Sequence, residues 1–182
     1  MFYHISAIIM STSLKICIIG DFCVGKTSLI RRFVDKQFSD EYLSTVGMKM
    51  SRKSILLPEK NSVNAEEIQL LIWDIEGSNK FKAIAPTYFQ GAKGAVIVGD
   101  VTRSETLNHL SEHIQSFLAV NPKSSVIVAL NKSDLIDAEY LDNLRQLYLF
   151  TNNASVLNTY FTSAKSGNNV NEIFQILTSS II

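Results

Sequence analysis

An α/β architecture around a largely parallel sheet is the expectation for these 182 residues. Short β-rich runs alternate with segments of helical periodicity along the whole chain. Two of the runs, "GAVIVGD" (94–100) and "SSVIVAL" (124–130), are continuously apolar, as central parallel strands buried on both faces must be. The first run, moreover, passes through a glycine-containing loop directly into a helical pattern.

The elements follow in order. "SLKICIIG" (13–20) reads as the first strand and "KTSLIRRFV" (26–34) as a helix whose apolar stripe is Leu29, Ile30 and Phe33. "MKMSRKSILL" (48–57) and "EIQLLIW" (67–73) read as two strands, the second alternating at Ile68, Leu70 and Ile72. The polar, turn-rich "PEKNSVNAEE" between them is expected to be a hairpin loop. Leu107, Leu110, Ile114, Phe117 and Leu118 fall at helical spacing, "VLNTYFT" (156–162) gives a sixth strand, and "NVNEIFQILTS" (169–179) a closing helix. One domain over 13–182 behind an N-terminal extension, 1–12, accounts for the length.

Composition narrows the function classes. The chain is 46% hydrophobic and 19% charged, ordinary globular values. Lys plus Arg and Asp plus Glu are 17 each, so bulk charge offers no reason to expect nucleic acid or an anionic membrane as partner. Two cysteines, Cys17 and Cys23, make no disulfide framework and fit a reducing, cytoplasmic compartment. The opening "MFYHISAIIM" lacks the features of a signal peptide, and no run approaches the ~20 apolar residues of a membrane span. With no C-terminal cysteine, no covalent membrane anchor is expected.

Four motifs carry chemistry. "GDFCVGKT" (20–27) fits G-x-x-x-x-G-K-[ST] between a strand and a helix. Gly20 and Gly25 let the backbone of Phe22, Cys23, Val24 and Gly25 wrap closely, so that N–H groups point at phosphate oxygens. Lys26 reaches the β and γ phosphates, Thr27 offers its hydroxyl to Mg²⁺, and Ser28 continues the contact. Asp74 and Gly77, spaced D-x-x-G, come at a strand end, where the Asp holds Mg²⁺ and the Gly N–H meets the γ-phosphate. "NKSD" (131–134) places Asn131 and Lys132 ahead of Asp134, whose carboxylate matches the paired donors of guanine and not adenine. "TSAK" (162–165) brings Ser163 and Ala164 amides to the guanine O6 and Lys165 over the ring.

With Thr45 in "STVG" and Phe38 ahead of it, the set resembles the Ras-like small GTPases, most of all the Rab group. The stretches "GDFCVGKTSLIRRF", "STVGMKM", "IWDIEGSNKF" and "YFQGAKGAVIVGDVT" carry the resemblance, which spans residues 13–178. It implies a P-loop NTPase fold: a six-stranded, mostly parallel sheet with one antiparallel edge hairpin and helices on both faces. It implies a GTP- and GDP-dependent switch in which Phe38 lies against guanine and Thr45 joins Thr27 and Asp74 around Mg²⁺. Lys26, Thr45, Gly77 and Ser78 become the residues of catalysis. A monomer is implied, meeting effector, exchange-factor and activating proteins through switch segments 38–49 and 75–88.

Departures from the family pattern bear on turnover. Ser78 stands where a water-orienting glutamine is usual, so slow intrinsic hydrolysis is expected, with a GTP-loaded scaffold as the alternative. Glu76 replaces a small residue; it is expected to point away or pair with a cation such as Lys80, or else to stand in as base for the water. Phe22 is bulky in the phosphate loop and would narrow the entry of an activating arginine. The hairpin loop near Glu59 to Glu67 is long, and the lipidated tail of the Rab group is not found. Trp73, Phe81 and Tyr88 suit either the core or a partner surface. "HLSEH" (109–113) also fits a zinc-binding spacing, but the apolar stripe of its helix is expected to leave His109 and Glu112 facing solvent, and a third ligand is lacking.

Overall fold

The structure is a computed structural model that describes residues 12–39, 45–58, 65–78 and 84–182. Lys80, Phe81, and the segments 40–44 and 79–83 of the two expected switches lie outside the described residues, as does most of the hairpin loop.

Six strands form one sheet in the order β2-β3-β1-β4-β5-β6. They are β1 (Thr12–Gly20), β2 (Met48–Pro58), β3 (Ala65–Ile75), β4 (Gly94–Asp100), β5 (Ser125–Asn131) and β6 (Val156–Phe161). Only the edge pair β2·β3 is antiparallel, with Met48 opposite Ile75; every other pairing is parallel. Both hairpin strands run further into the polar stretch than its composition suggested, because the antiparallel ladder continues to Pro58 opposite Ala65.

The period of two sorts the core. In β1, Ile16 and Ile18 join Leu70, Ile72, Val96 and Val98 on one face, against α1 (Lys26–Asp35) and α6 (Val170–Ser180). Cys17 and Ile19 join Ala95, Ile97, Val126 and Val128 on the other. That face is covered by α2 (Ala85–Phe89), α3 (Ser104–Asn108), α4 (Leu110–Val120) and α5 (Ala138–Leu147). β4 is buried throughout, as its unbroken apolar run requires. Its parallel neighbours bring the C-terminal strand ends to one edge, where ligands of open α/β sheets bind.

The apolar stripe from Leu107 to Leu118 is not one helix. It breaks at His109, which ends α3 and starts α4. The Thr106 hydroxyl accepts from the Asp100 N–H at 2.9 Å, fixing the short α3 to the end of β4. The 133–135 turn is a single 3₁₀ turn, and α5 is capped by Asp137, whose side chain accepts from the Tyr140 N–H.

Across one face, Phe33 and Phe174 stack with centroids 4.1 Å apart, joining α1 to α6. Phe174→Ala removes a fully buried ring from that joint and should lower unfolding free energy by about 3–5 kcal/mol, read as a lower urea midpoint at unchanged slope.

Candidate functional site

The strand ends surround a cavity of about 320 Å³. Its lining includes Phe22, Cys23, Gly25, Lys26, Thr27, Ser28, Phe38, Thr45, Glu76, Gly77, Asn131, Lys132, Asp134, Ala164 and Lys165. Most of the site residues expected from the sequence therefore meet in one place. Val24, Asp74, Ser163 and Ser78 stand off the cavity wall, and each has a different reason.

The phosphate-type loop is shaped by close backbone approach. Gly25 has φ 96°, and a Cβ there would lie 2.4 Å from Asn131 Nδ2. Val24 is buried, and its carbonyl accepts from Asn131 Nδ2 at 2.9 Å. Lys26 is only 7% exposed, and its ammonium donates to the carbonyls of Gly20 (2.8 Å) and Asp21 (2.7 Å). Burial lowers its pKa to about 8 against the attraction of Asp74 and Asp21. The loop thus holds a buried cation at the cavity wall, the charge an anionic ligand needs.

Behind it lies an oxygen cluster. Thr27 Oγ1 donates to Asp74 Oδ2 at 2.5 Å and sits 3.0 Å from Thr45 Oγ1, which is itself 3.3 Å from Asp74. Asp74 is buried, and its Oδ1 has no hydrogen-bond partner among the described residues. Burial pushes this carboxyl up, opposed by the Thr27 hydroxyl and the Lys26 charge. Two hydroxyls and an orphaned carboxylate oxygen are hard donors, a set that fits Mg²⁺.

At the far end, Ser163 donates its hydroxyl to Asp134 Oδ1 at 2.5 Å, which is why Ser163 supports the wall without lining it. Arg32 donates to the Ala164 carbonyl at 2.7 Å and to that of Lys165, tying the same loop to α1. Its guanidinium lies 5.8 Å from the centre of the Phe38 ring.

Two arrangements differ from expectation, those of Ser78 and His109. Glu76, whose expected partner Lys80 lies outside the described residues, does not turn away from the cavity. It lines the cavity, its Oε2 accepts from the Gly47 N–H at 2.6 Å, and its Oε1 accepts from the Ser78 hydroxyl at 2.6 Å. Ser78 is held by Glu76 and lines a second, smaller cavity beside α2 and α4 instead. His109 does not simply face solvent. Its Nδ1 is 2.6 Å from Asp21 Oδ2, and His113 Nε2 is 2.8 Å from Asp21 Oδ1, so one carboxylate joins both imidazoles to the phosphate-type loop. Among the described residues, no three His, Cys, Asp or Glu side chains are placed to hold a metal. Trp73 and Tyr88 pack together half-buried, 6.3 Å apart, at the edge of the core.

A further brace has no sequence motif. Asp100 is fully buried at the end of β4 and pairs with Lys132 Nζ (2.6 Å) and Arg103 Nε (3.1 Å). Arg103 also donates to the Phe22 carbonyl at 2.8 Å. Burial pushes Asp100 up, but the Lys132 amine and Thr102 overcome it and hold the carboxyl low. The sole hint in the sequence is an Asp closing an otherwise apolar strand.

Burial also pushes Asp21 up, yet the hydrogen bonds and charges of His113 and His109 leave it at about 2. A folded-state pKa below the unfolded value of ~3.9 stabilises above that value and is lost as pH falls toward 2. The stability advantage of the parent over Asp21→Asn should therefore be full above pH ~4 and shrink progressively below it, measured by urea unfolding across that range.

The comparisons with known proteins agree with this geometry. The Ras family model matches residues 15–182. The chain is 34% identical over 171 residues to human Ras-related protein Rab-22A, covering 88% of this chain and 79% of that one. It is 32% identical over 174 residues to GTP-binding protein ypt5 of Schizosaccharomyces pombe, covering 95% and 80%. Rat Ras-related protein Rab-31 is 32% identical over 169 residues, covering 92% and 83%. A glycine-shaped loop with a buried lysine, an aspartate–threonine cluster behind it and an aspartate at the far wall are the parts of a guanine-nucleotide switch, and the chain belongs to the Ras family of small GTPases, among its Rab-like members.

Proposed function

We propose that this chain binds GTP and GDP with Mg²⁺ in the strand-end cavity and hydrolyses GTP slowly unless a partner assists. What carries the reading is the pairing of ends: a buried ammonium held by two loop carbonyls at one, and the Asp134 carboxylate held by Ser163 at the other. A triphosphate and a guanine base fit those two chemistries in that order.

The residue roles follow from placement. The amides of Phe22, Cys23, Val24 and Gly25 and the Lys26 ammonium take the phosphates, with Ser28 beside them. Asp134 selects guanine, Ala164 and Lys165 frame the base, and Phe38 closes over it. Thr27, Thr45 and Asp74 would hold Mg²⁺, which when bound supplies positive charge against the phosphate oxygens. Lys26 and the loop amides stabilise charge developing in the same place, since phosphoryl transfer asks mostly for positioning. Gly77 and Thr45 bring the two switches to the terminal phosphate. Ser78 stands off the cavity with its hydroxyl committed to Glu76, which supports slow unassisted turnover.

Effector, exchange and activating proteins would meet the segments 38–49 and 75–88. Val46, Met50 and Ile84 are exposed there or at their margins, as apolar contact residues of a partner surface would be. Phe22 is 44% exposed at the cavity mouth, so an arginine supplied by an activator would pass beside its ring. Among the described residues no helix is long and apolar enough to cross a membrane. A monomeric domain over 13–182 working in the cytoplasm is the form this reading takes.

Protein purified, stripped by denaturation and analysed for released nucleotide should yield GDP or GTP; recovery of neither, with no binding on addition in magnesium buffer, would sink the reading. Asp134→Asn exchanges one carboxylate acceptor for an amide donor facing the base. It should weaken GTP binding about 10- to 100-fold while leaving ATP binding little changed, measured by competition titration.

A further inference from the structure

From the second switch, Glu76 and Gly77 line the nucleotide cavity, and both also line the smaller one. Ser78, at the position where the family pattern has glutamine, lines the smaller cavity next to α2 and α4. Glu76 lines the nucleotide cavity together with Lys26, Thr27, Thr45 and Gly77. Its carboxylate is held from two sides, by the Gly47 N–H at 2.6 Å and the Ser78 hydroxyl at 2.6 Å. A third bond, Glu76 N–H to the Gly47 carbonyl at 3.0 Å, fixes the backbone from which the side chain springs.

We propose that Glu76 is the residue that orients the water attacking the terminal phosphate, and that Ser78 and Gly47 position it for that task. The inference rests on the nucleotide reading above and adds to it which side chain replaces the glutamine. The carboxylate accepts a hydrogen bond from the water and aims its oxygen at the γ-phosphorus. The new bond is water oxygen to phosphorus. The bond that breaks joins phosphorus to the bridging oxygen, whose electron pair stays with GDP. The water's proton ends on the phosphate product or in solvent, so the protein gains none. Lys26, in the same cavity and within electrostatic reach of Glu76, offsets the repulsion between its carboxylate and the triphosphate.

The competing account makes Glu76 only a strap between the switches. The two differ in what is lost on truncation. An orienting group matters most in the transition state, whereas a strap matters equally for every ligand that needs the switches closed. The experiment measures, for the parent and for Glu76→Ala, Glu76→Gln and Ser78→Ala, three quantities in magnesium buffer. They are single-turnover hydrolysis, affinity for a non-hydrolysable GTP analogue, and affinity for GDP with aluminium fluoride as mimic of the transferring phosphoryl.

Glu76→Ala should lower hydrolysis about 10- to 100-fold and weaken the GDP–fluoride complex in step, with analogue affinity unchanged or tighter because a like charge has gone. Glu76→Gln, which keeps an acceptor oxygen at the same reach, should recover part of both. Ser78→Ala should show the same pattern with a smaller loss. Parental hydrolysis in Glu76→Ala overturns the proposal, and so does an equal loss of affinity for analogue and fluoride complex, which marks a strap. A larger loss in Ser78→Ala than in Glu76→Ala also overturns it, by putting the serine itself on the water. Retention of guanine nucleotide by the parent in any of these cases leaves the nucleotide reading standing; failure to retain it takes both down.

Discussion

The nucleotide end of this fold depends on one close backbone contact. A Cβ on Gly77 would lie 2.3 Å from the Gly20 carbonyl and 2.5 Å from that of Asp21. Both carbonyls are backbone, so neither can swing aside as a flexible side chain would. The end of β3 and the start of the phosphate loop therefore touch without an intervening side chain. The same two carbonyls accept the Lys26 ammonium. One pair of peptide oxygens thus registers the loop, its lysine and the second switch against each other. That is the arrangement a single anion needs if it is to be felt by all three.

What fixes this contact from behind is electrostatic, and two separate braces share the work. Asp100 gathers Lys132 and Arg103, and Arg103 reaches on to the Phe22 carbonyl. This links the guanine-side loop to the phosphate loop through one buried carboxylate. Asp21 gathers His109 and His113 and links the phosphate loop to α4. A buried carboxylate with its partners removed costs several kcal/mol, so the Asp100 brace defines position more than it adds net stability. The break in the helical stripe at His109 belongs to the same device. It lets the short α3 lie against the β4 end while α4 sets off with both histidines aimed at Asp21.

How much of this was legible in the sequence follows from how local each cause is. The glycine–lysine loop, Asp74 with Gly77, Asn131 to Asp134 and Thr162 to Lys165 each carry their chemistry within a few residues of a strand end. The apolar runs of β4 and β5 are local too. The helix α5 is equally local in its cause, with Asp137 at its cap and Leu141 and Leu144 following at helical spacing. The rest is tertiary. Asp21 and His109 stand 88 positions apart, and nothing in either neighbourhood announces the pair. Glu76 and Ser78 both depart from the family pattern in the sequence, but the bonds that tie Glu76 to Gly47 and Ser78 depend on where the β2–β3 ladder ends.

That ladder is also where Glu76 acts on more than itself. Beyond the last paired residues, Met48 and Ile75, the bonds between Gly47 and Glu76 add one further rung, half backbone and half side chain. Thr45 lies two residues from Gly47, and its hydroxyl sits 3.0 Å from that of Thr27. The rung therefore helps hold the first switch against the metal-type oxygens, in parallel with whatever a terminal phosphate contributes. A hydrogen bond to a charged group is worth about 1.5–3 kcal/mol, comparable to the 1–3 kcal/mol of a typical coupling between sites. A ligand shifts a two-state element only by its differential affinity for the two states. On the proposal made above, a tie of that size would compete with the nucleotide in setting how far the first switch moves.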